Sequence, residues 1–157
     1  VKLRDCTVFA NDLNPDSVHW LRKNCIKNKI NSSKLHIYNE DAAQFIQNSQ
    51  LYLKAAFPEA HFGHYVMNLP AAATSFLHHF QQIDLVNSPT IHCYLFVKDV
   101  EGKEVVDPIN VVIAALPELE LEIIHVQNVR SVAPLKTMYC VSFKISHPTS
   151  KRFKSVD

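Results

Sequence analysis

Three polar residues fall where apolar, strand-like runs end. Asp12 follows CTVFAN, Asp41 follows LHIYN, and Asn68 follows HYVM, with Leu69, Pro70 and a helical pattern directly after it. Ligands of open α/β sheets bind beyond the carboxyl ends of the strands, so three such residues at one sheet edge form a candidate site. Each offers different chemistry. The Asp12 carboxylate can accept from both hydroxyls of a ribose; the alternative is that it opens the turn before the next helix, a role Asn14 also fills. Asp41 can accept from an adenine amino group, or it caps a helix beginning at Ala42. The Asn68 amide carries a donor and an acceptor and so matches the polar edge of a nucleobase; its alternative is a helix cap with no ligand. Pro70 lacks an N–H, suits a first helical turn and pushes Leu69 toward extended backbone, which would hold Asn68 at the strand tip.

The elements that must position these residues alternate along the chain. CTVFAN is β-branched and aromatic, hence a strand. A helix follows with Val18, Leu21 and Cys25 at helical spacing, Asn14 as N-cap and Pro15 in its first position. Leu35 to Asn39 is a second strand, and DAAQFIQNSQLYLKAAF is one helix or two short ones. HYVMNL is a third strand, with a helix expected from Ala71 to Gln81, and Thr90 to Val97 is a fourth. Asp107 to Leu116 reads as helix with Pro108 in its first turn. ELELEIIHVQNV and TMYCVSFKI are alternating strands, joined by a loop, RSVAPLK. Regular alternation implies a mostly parallel α/β sheet covered by helices. The last two strands have no helix between them, so they pair antiparallel and the sheet is mixed. No repeat or linker interrupts residues 1–146, read as one domain with a basic tail at 147–157.

Composition narrows the classes. Apolar residues make up 47% of the 157 and charged residues 20%, a globular balance. No apolar run is long enough to span a membrane, and none near Val1 resembles a secretory signal. Net charge is +1, which does not by itself mark a nucleic-acid binder. Two basic clusters stand out, Arg22 to Lys29 and Lys151 to Lys154; the plain reading of each is a solvated surface or terminus. Cys6, Cys25, Cys93 and Cys140 lie singly among apolar neighbours, without metal-ligand spacing. They read as reduced, buried thiols, and no metal is expected.

The segments FANDLNPDS, NEDAAQFI, VMNLPAAATSFL, IHCYLFVKD and VRSVAPLKTMYCVSF together resemble, in order, the motifs of the archaeal and eukaryotic tRNA (guanine-37-N1)-methyltransferases. The resemblance covers nearly the whole chain, and Asn-Leu-Pro is its most discriminating part. It implies a class I, Rossmann-like methyltransferase fold, S-adenosyl-L-methionine as cofactor, and N1 of the guanine beside the anticodon as target. Asp12 with Leu13 would then hold the ribose, Asp41 with Ala42 the adenine, and Asn68 would lie between cofactor and guanine. Arg130 would touch RNA or else be a plain surface charge. The implied partner is the tRNA anticodon stem-loop, with the full-length enzyme monomeric. The implied locations are cytoplasm, nucleus and mitochondrial matrix.

The family's glycine-rich cofactor loop precedes the Asp12 strand, whereas this chain has only Gly63 and Gly102. The loop and the strand feeding it are therefore expected to be missing, which leaves the Asp12 and Asn68 strands unpaired with each other. Val1 then reads as the start of the C-terminal portion of a longer enzyme, inactive alone, with its general base upstream. Two alternatives remain open. One is a related transferase of the wybutosine pathway; the other is a non-catalytic RNA-binding or scaffold remnant of the fold.

Overall fold

The structure, a computed structural model, describes residues 6–98 and 107–146; the expected tail at 147–157 lies outside them. Among the described residues, six strands and four α-helices follow in the order β1 (Val8–Asn11), α1 (Pro15–Lys27), β2 (Leu35–Tyr38), α2 (Ala42–Ala56), β3 (His64–Met67), α3 (Ala73–Phe76), β4 (Thr90–Lys98), α4 (Pro108–Ala115), β5 (Glu120–Ala133) and β6 (Lys136–Ser146). The chain divides into two compact units between Tyr52 and Leu53, within α2.

In the first unit β1 and β2 pair in parallel, Val8 opposite Leu35 through Asn11 opposite Tyr38. Parallel neighbours need a crossover, and α1 supplies it. Its start is local chemistry: the Asn14 side chain accepts from the Asp16 amide, and Pro15 occupies the first turn. Val18 is its buried residue. The helix ends at Asn28, whose amide returns to Asn24, and Lys29 then takes a left-handed φ of 52°.

The second unit holds a four-stranded mixed sheet in the order β3-β4-β6-β5. β3 lies parallel to β4, and the β4–β6 and β6–β5 pairs are antiparallel. Strict alternation along β4 buries Ile91, Cys93, Leu95 and Val97 on one face. Val141, Phe143 and Ile145 of β6 join that core, with Leu77, Phe80, Val112 and Leu116 from the helical segments. Each such side chain contributes on the order of 1.5–3 kcal/mol by leaving water. Burial pushes the Cys93 thiol up to about 12, with Cys140 adding to the shift. β1 pairs with β2 and β3 with β4; the strands that lead to Asp12 and Asn68 are, as expected, not paired with each other.

Two segment readings change. The helix expected from Ala71 to Gln81 is a turn at residues 70–72, a single α-turn in α3, and a 3-10 helix from Leu77 to Gln82. Its N-cap, Ala72, has no side chain to satisfy the first amides, and instead the Leu69 carbonyl accepts from both Ala72 and Ala73. The second change is the loop RSVAPLK, which shrinks to Pro134 and Leu135, the latter at φ 56°. Arg130 therefore sits in β5, opposite Met138. β5 is an edge strand with three register shifts, so its burial does not alternate over 130–133 and its sequence looks like a loop.

Candidate functional site

In the first unit, the loops after β1 and β2 are tied together. The Asn11 side chain donates to the Glu40 carbonyl (2.9 Å) and accepts from the Glu40 amide (3.0 Å). Asn39 reaches the other way, its Nδ2 donating to the carbonyls of Asp12 (2.7 Å) and Leu13 (2.9 Å). Two asparagines thus hold Asp12, Leu13 and Asp41 on one strand edge. The Glu40 carboxylate accepts from the Tyr52 hydroxyl at 2.9 and 3.2 Å. Burial first, and then the bond to Glu40, raise the Tyr52 phenol above its usual value. The Tyr52 ring stacks on Tyr38 at 4.4 Å, which braces the last residue of β2.

Both aspartates also do the local work open to them. Asp12 Oδ1 accepts from the Asn14 amide (2.9 Å), and Asn14 accepts in turn from Asp16, so the two residues form successive turns. Asp41 Oδ1 accepts from the Ala43 amide (2.8 Å), capping α2 at Ala42. Each bond uses one carboxylate oxygen, and the turn sets the direction of the other. Leu13 presents an apolar side chain that is 66% exposed beside these acceptors.

In the second unit the Asn-Leu-Pro segment explains how a strand enters a helical turn without glycine or loop. Pairing of β3 with β4 ends at Met67 opposite Cys93, yet the Phe96 amide still donates to the Pro70 carbonyl (3.1 Å). The segment therefore continues alongside β4 before turning. Asn68 lies just past the strand tip, exposed, with its amide bonded to no described residue. It is not the cap of α3, because Ala72 holds that position. Arg130 lies opposite Met138, itself opposite Phe96, so Arg130 and the 134–135 turn lie at the same end of the sheet as Pro70, on the outer strand across from β3. Lys136 adds a second cation there, its Nζ 4.2 Å from the centre of the Phe96 ring.

Asn11, Asn39, Glu40 and Tyr52 were not expected as site residues. Asn11 and Asn39 were visible as asparagines flanking the ends of β1 and β2, but their pairing across 26–29 residues is not. Among the described residues, no three His, Cys, Asp or Glu side chains are placed to hold a metal. No helix among them is long and apolar enough to cross a membrane.

The sequence has close relatives. It is 38% identical over 170 residues to the mouse tRNA (guanine(37)-N(1))-methyltransferase, which matches 98% of this chain and 32% of the relative. To that of Xenopus tropicalis it is 39% identical over 166 residues, 96% of this chain and 32% of the relative. The chain thus spans about a third of the length of the curated relatives it matches. No family model matches it. Among solved structures, Trm5b from Pyrococcus abyssi superposes at a TM-score of 0.64 with 24% identity, covering 90% of this chain and 38% of that one. A complex of aTrm5 with tRNALeu gives 0.61 and 22%, covering 89% and 35%. M. jannaschii TYW2 in complex with AdoMet gives 0.62 and 18%, covering 90% and 58%. At these identities the structural likenesses establish the fold, and they do so for both enzymes alike.

Proposed function

We propose that this chain, related over nearly its whole length to the tRNA (guanine(37)-N(1))-methyltransferases, forms the adenosine-holding and base-orienting portion of such an enzyme. Its cofactor is S-adenosyl-L-methionine, its substrate is the tRNA anticodon stem-loop, and its target atom is N1 of guanine 37. The observation that carries this reading is the 38–39% identity to enzymes named for that reaction. The fold by itself would suit the TYW2 type equally well.

The residues of the first unit suit an adenosine. Asp12 has a second carboxylate oxygen on a loop clamped by Asn39, so it can accept from ribose hydroxyls without rearrangement. Leu13 offers an apolar surface for the sugar or ring. Asp41 and Ala42, at the capped start of α2, offer an acceptor and a backbone amide to an adenine edge. When bound, the cofactor supplies the methyl group.

Guanine N1 carries a proton at neutral pH and becomes a good nucleophile only as that proton leaves, with charge building on O6. Asn68 has no basic lone pair and cannot take the proton. Its N–H can donate to O6 and its carbonyl can accept from the base edge, and no described residue competes for either. Its part is orientation and charge stabilisation at a fixed strand tip. Arg130, at the same end of the sheet as Pro70, suits a phosphate of the RNA.

Mass spectrometry of tRNA from cells lacking the full-length protein tests this reading. Loss of 1-methylguanosine at position 37 is expected; an unchanged level would overturn it.

A further inference from the structure

The solvent face of α1 carries an arrangement that neither the fold nor the adenosine-holding edge uses. At 100° per residue, Trp20, Lys23 and Lys27 fall on one face, opposite the buried Val18. Trp20 is 58% exposed. A tryptophan presents about 150–250 Å² of mostly apolar surface, and a place in the middle of a polar helix face leaves more than half of it in water. A cation and a second ring flank the indole instead: Lys23 Nζ lies 4.7 Å from its centre, and the His19 ring meets it edge-on at 5.7 Å. From Pro15 to Lys34 the chain has five Lys or Arg and one acid, Asp16, although its overall net charge is only +1. Of these cations, Arg22 is turned to the fold and donates to the Ile37 carbonyl (3.4 Å).

We propose that this face of α1 binds an unpaired stretch of the RNA substrate, with Trp20 as a stacking platform and Lys23 and Lys27 on the phosphates. The proposal rests on the tRNA reading above and adds a contact to it. An aromatic ring set among cations suits single-stranded nucleic acid, because every base has a face to stack and every nucleotide carries a phosphate. A paired stem offers no free base face, so the partner nucleotide lies in a loop or at an end. A membrane surface would call for a continuous apolar face. Here Trp20 is neighboured on its face by Asp16, Lys23, Asn24 and Lys27.

The test uses the full-length protein and an unmodified tRNA transcript. Trp20→Ala is expected to raise the KM for tRNA about tenfold, while the KM for S-adenosyl-L-methionine and kcat at saturating tRNA hold. Trp20→Phe is expected to recover most of that loss. Lys23→Gln with Lys27→Gln should flatten the dependence of log affinity on log salt by about 1.4–1.8. Three results would overturn the proposal: tRNA affinity and salt slope unchanged in these variants; equal losses for cofactor and tRNA, which would make Trp20 a structural residue of its unit; or loss of binding to anionic phosphatidylserine vesicles with tRNA affinity intact. If the wild-type protein binds no tRNA, the parent reading falls with it. If the wild type binds and methylates and the variants match it, only this contact falls.

Discussion

The two units solve the same problem, a parallel strand pair that ends in candidate site residues, with very different amounts of core. Every residue of β1 and β2 is only half-buried, and the first unit keeps its shape through caps and asparagine clamps. In the second unit β4 and β6 are flanked on both sides, and Ile91, Cys93, Val141 and Phe143 have no exposed surface. Parallel strands are stable when both faces and both edges are covered, whereas an antiparallel hairpin brings its own partner. β5 and β6 supply that partner in the second unit, and no described strand does so for β1. Polar clamping is thus the main local means of ordering the loops that hold Asp12 and Asp41, and hydrophobic burial the means of ordering Asn68.

The largest effect that could break this contrast is on stability. Phe143→Ala should cost about 3–5 kcal/mol in denaturant unfolding of the full-length protein. Phe9→Ala, at a half-buried position of β1, should cost clearly less. Equal losses would mean that the first unit is as tightly packed as the second.

The next concerns chemistry. Asn68→Ala should lower the single-turnover rate of methyl transfer by about 10²–10³, or roughly 2–4 kcal/mol, with cofactor affinity little changed. A normal rate would leave Asn68 without a role at the site, since it caps no helix.

Asp12→Ala should do the reverse, raising the dissociation constant for S-adenosyl-L-methionine by calorimetry. The expected loss is about 1.5–3 kcal/mol, that of a hydrogen bond to a charged acceptor. Asp12→Asn separates two causes, because it keeps an acceptor for the Asn14 amide while losing the charge. Full recovery of affinity in the asparagine variant would show that the turn, and not the carboxylate, matters.

The smallest effect is a pH dependence confined to the second unit. His92 bridges Ser142 (2.8 Å) and His64 (3.0 Å) across the sheet, and burial, with His64 second, lowers its pKa. A histidine depressed in the folded state binds its proton more readily when unfolded. Its contribution is therefore fully present above the ordinary value of about 6.5 and is lost as pH falls through the lower folded value. His92→Gln should flatten the unfolding midpoint between pH 7 and pH 5. An identical profile in the variant would assign the pH dependence to other groups.

How much of this was legible beforehand depends on how local each cause is. Asn14, Pro15 and the spacing of Val18 specify α1 within a few residues, and the alternation of β4 is plain in TIHCYLFV. The ends of β1, β2 and β3, and so the places of Asp12, Asp41 and Asn68, follow from where apolar runs stop. The helix after Pro70 did not follow: whether Ala71 to Gln81 winds as α or 3-10 was decided by the Leu69 carbonyl, shared by two amides, and by the fit of Leu77 and Phe80 to the core. Arg130 reads as loop in the sequence because the end of β5 is exposed on both faces and has no hydrophobic period there.

The sequence by itself determined which residues could do chemistry and which end of each strand they occupy, because caps, prolines and apolar periodicity act over three or four positions. Only the tertiary structure decided that Asn11 and Asn39 clamp the loop carrying Asp12 and Leu13 to the one carrying Asp41. It alone placed Pro70 and Arg130 at one end of the sheet, and it alone left Trp20 in water on a basic face. Those relations join residues far apart in sequence, and they exist only once register and packing bring them within reach.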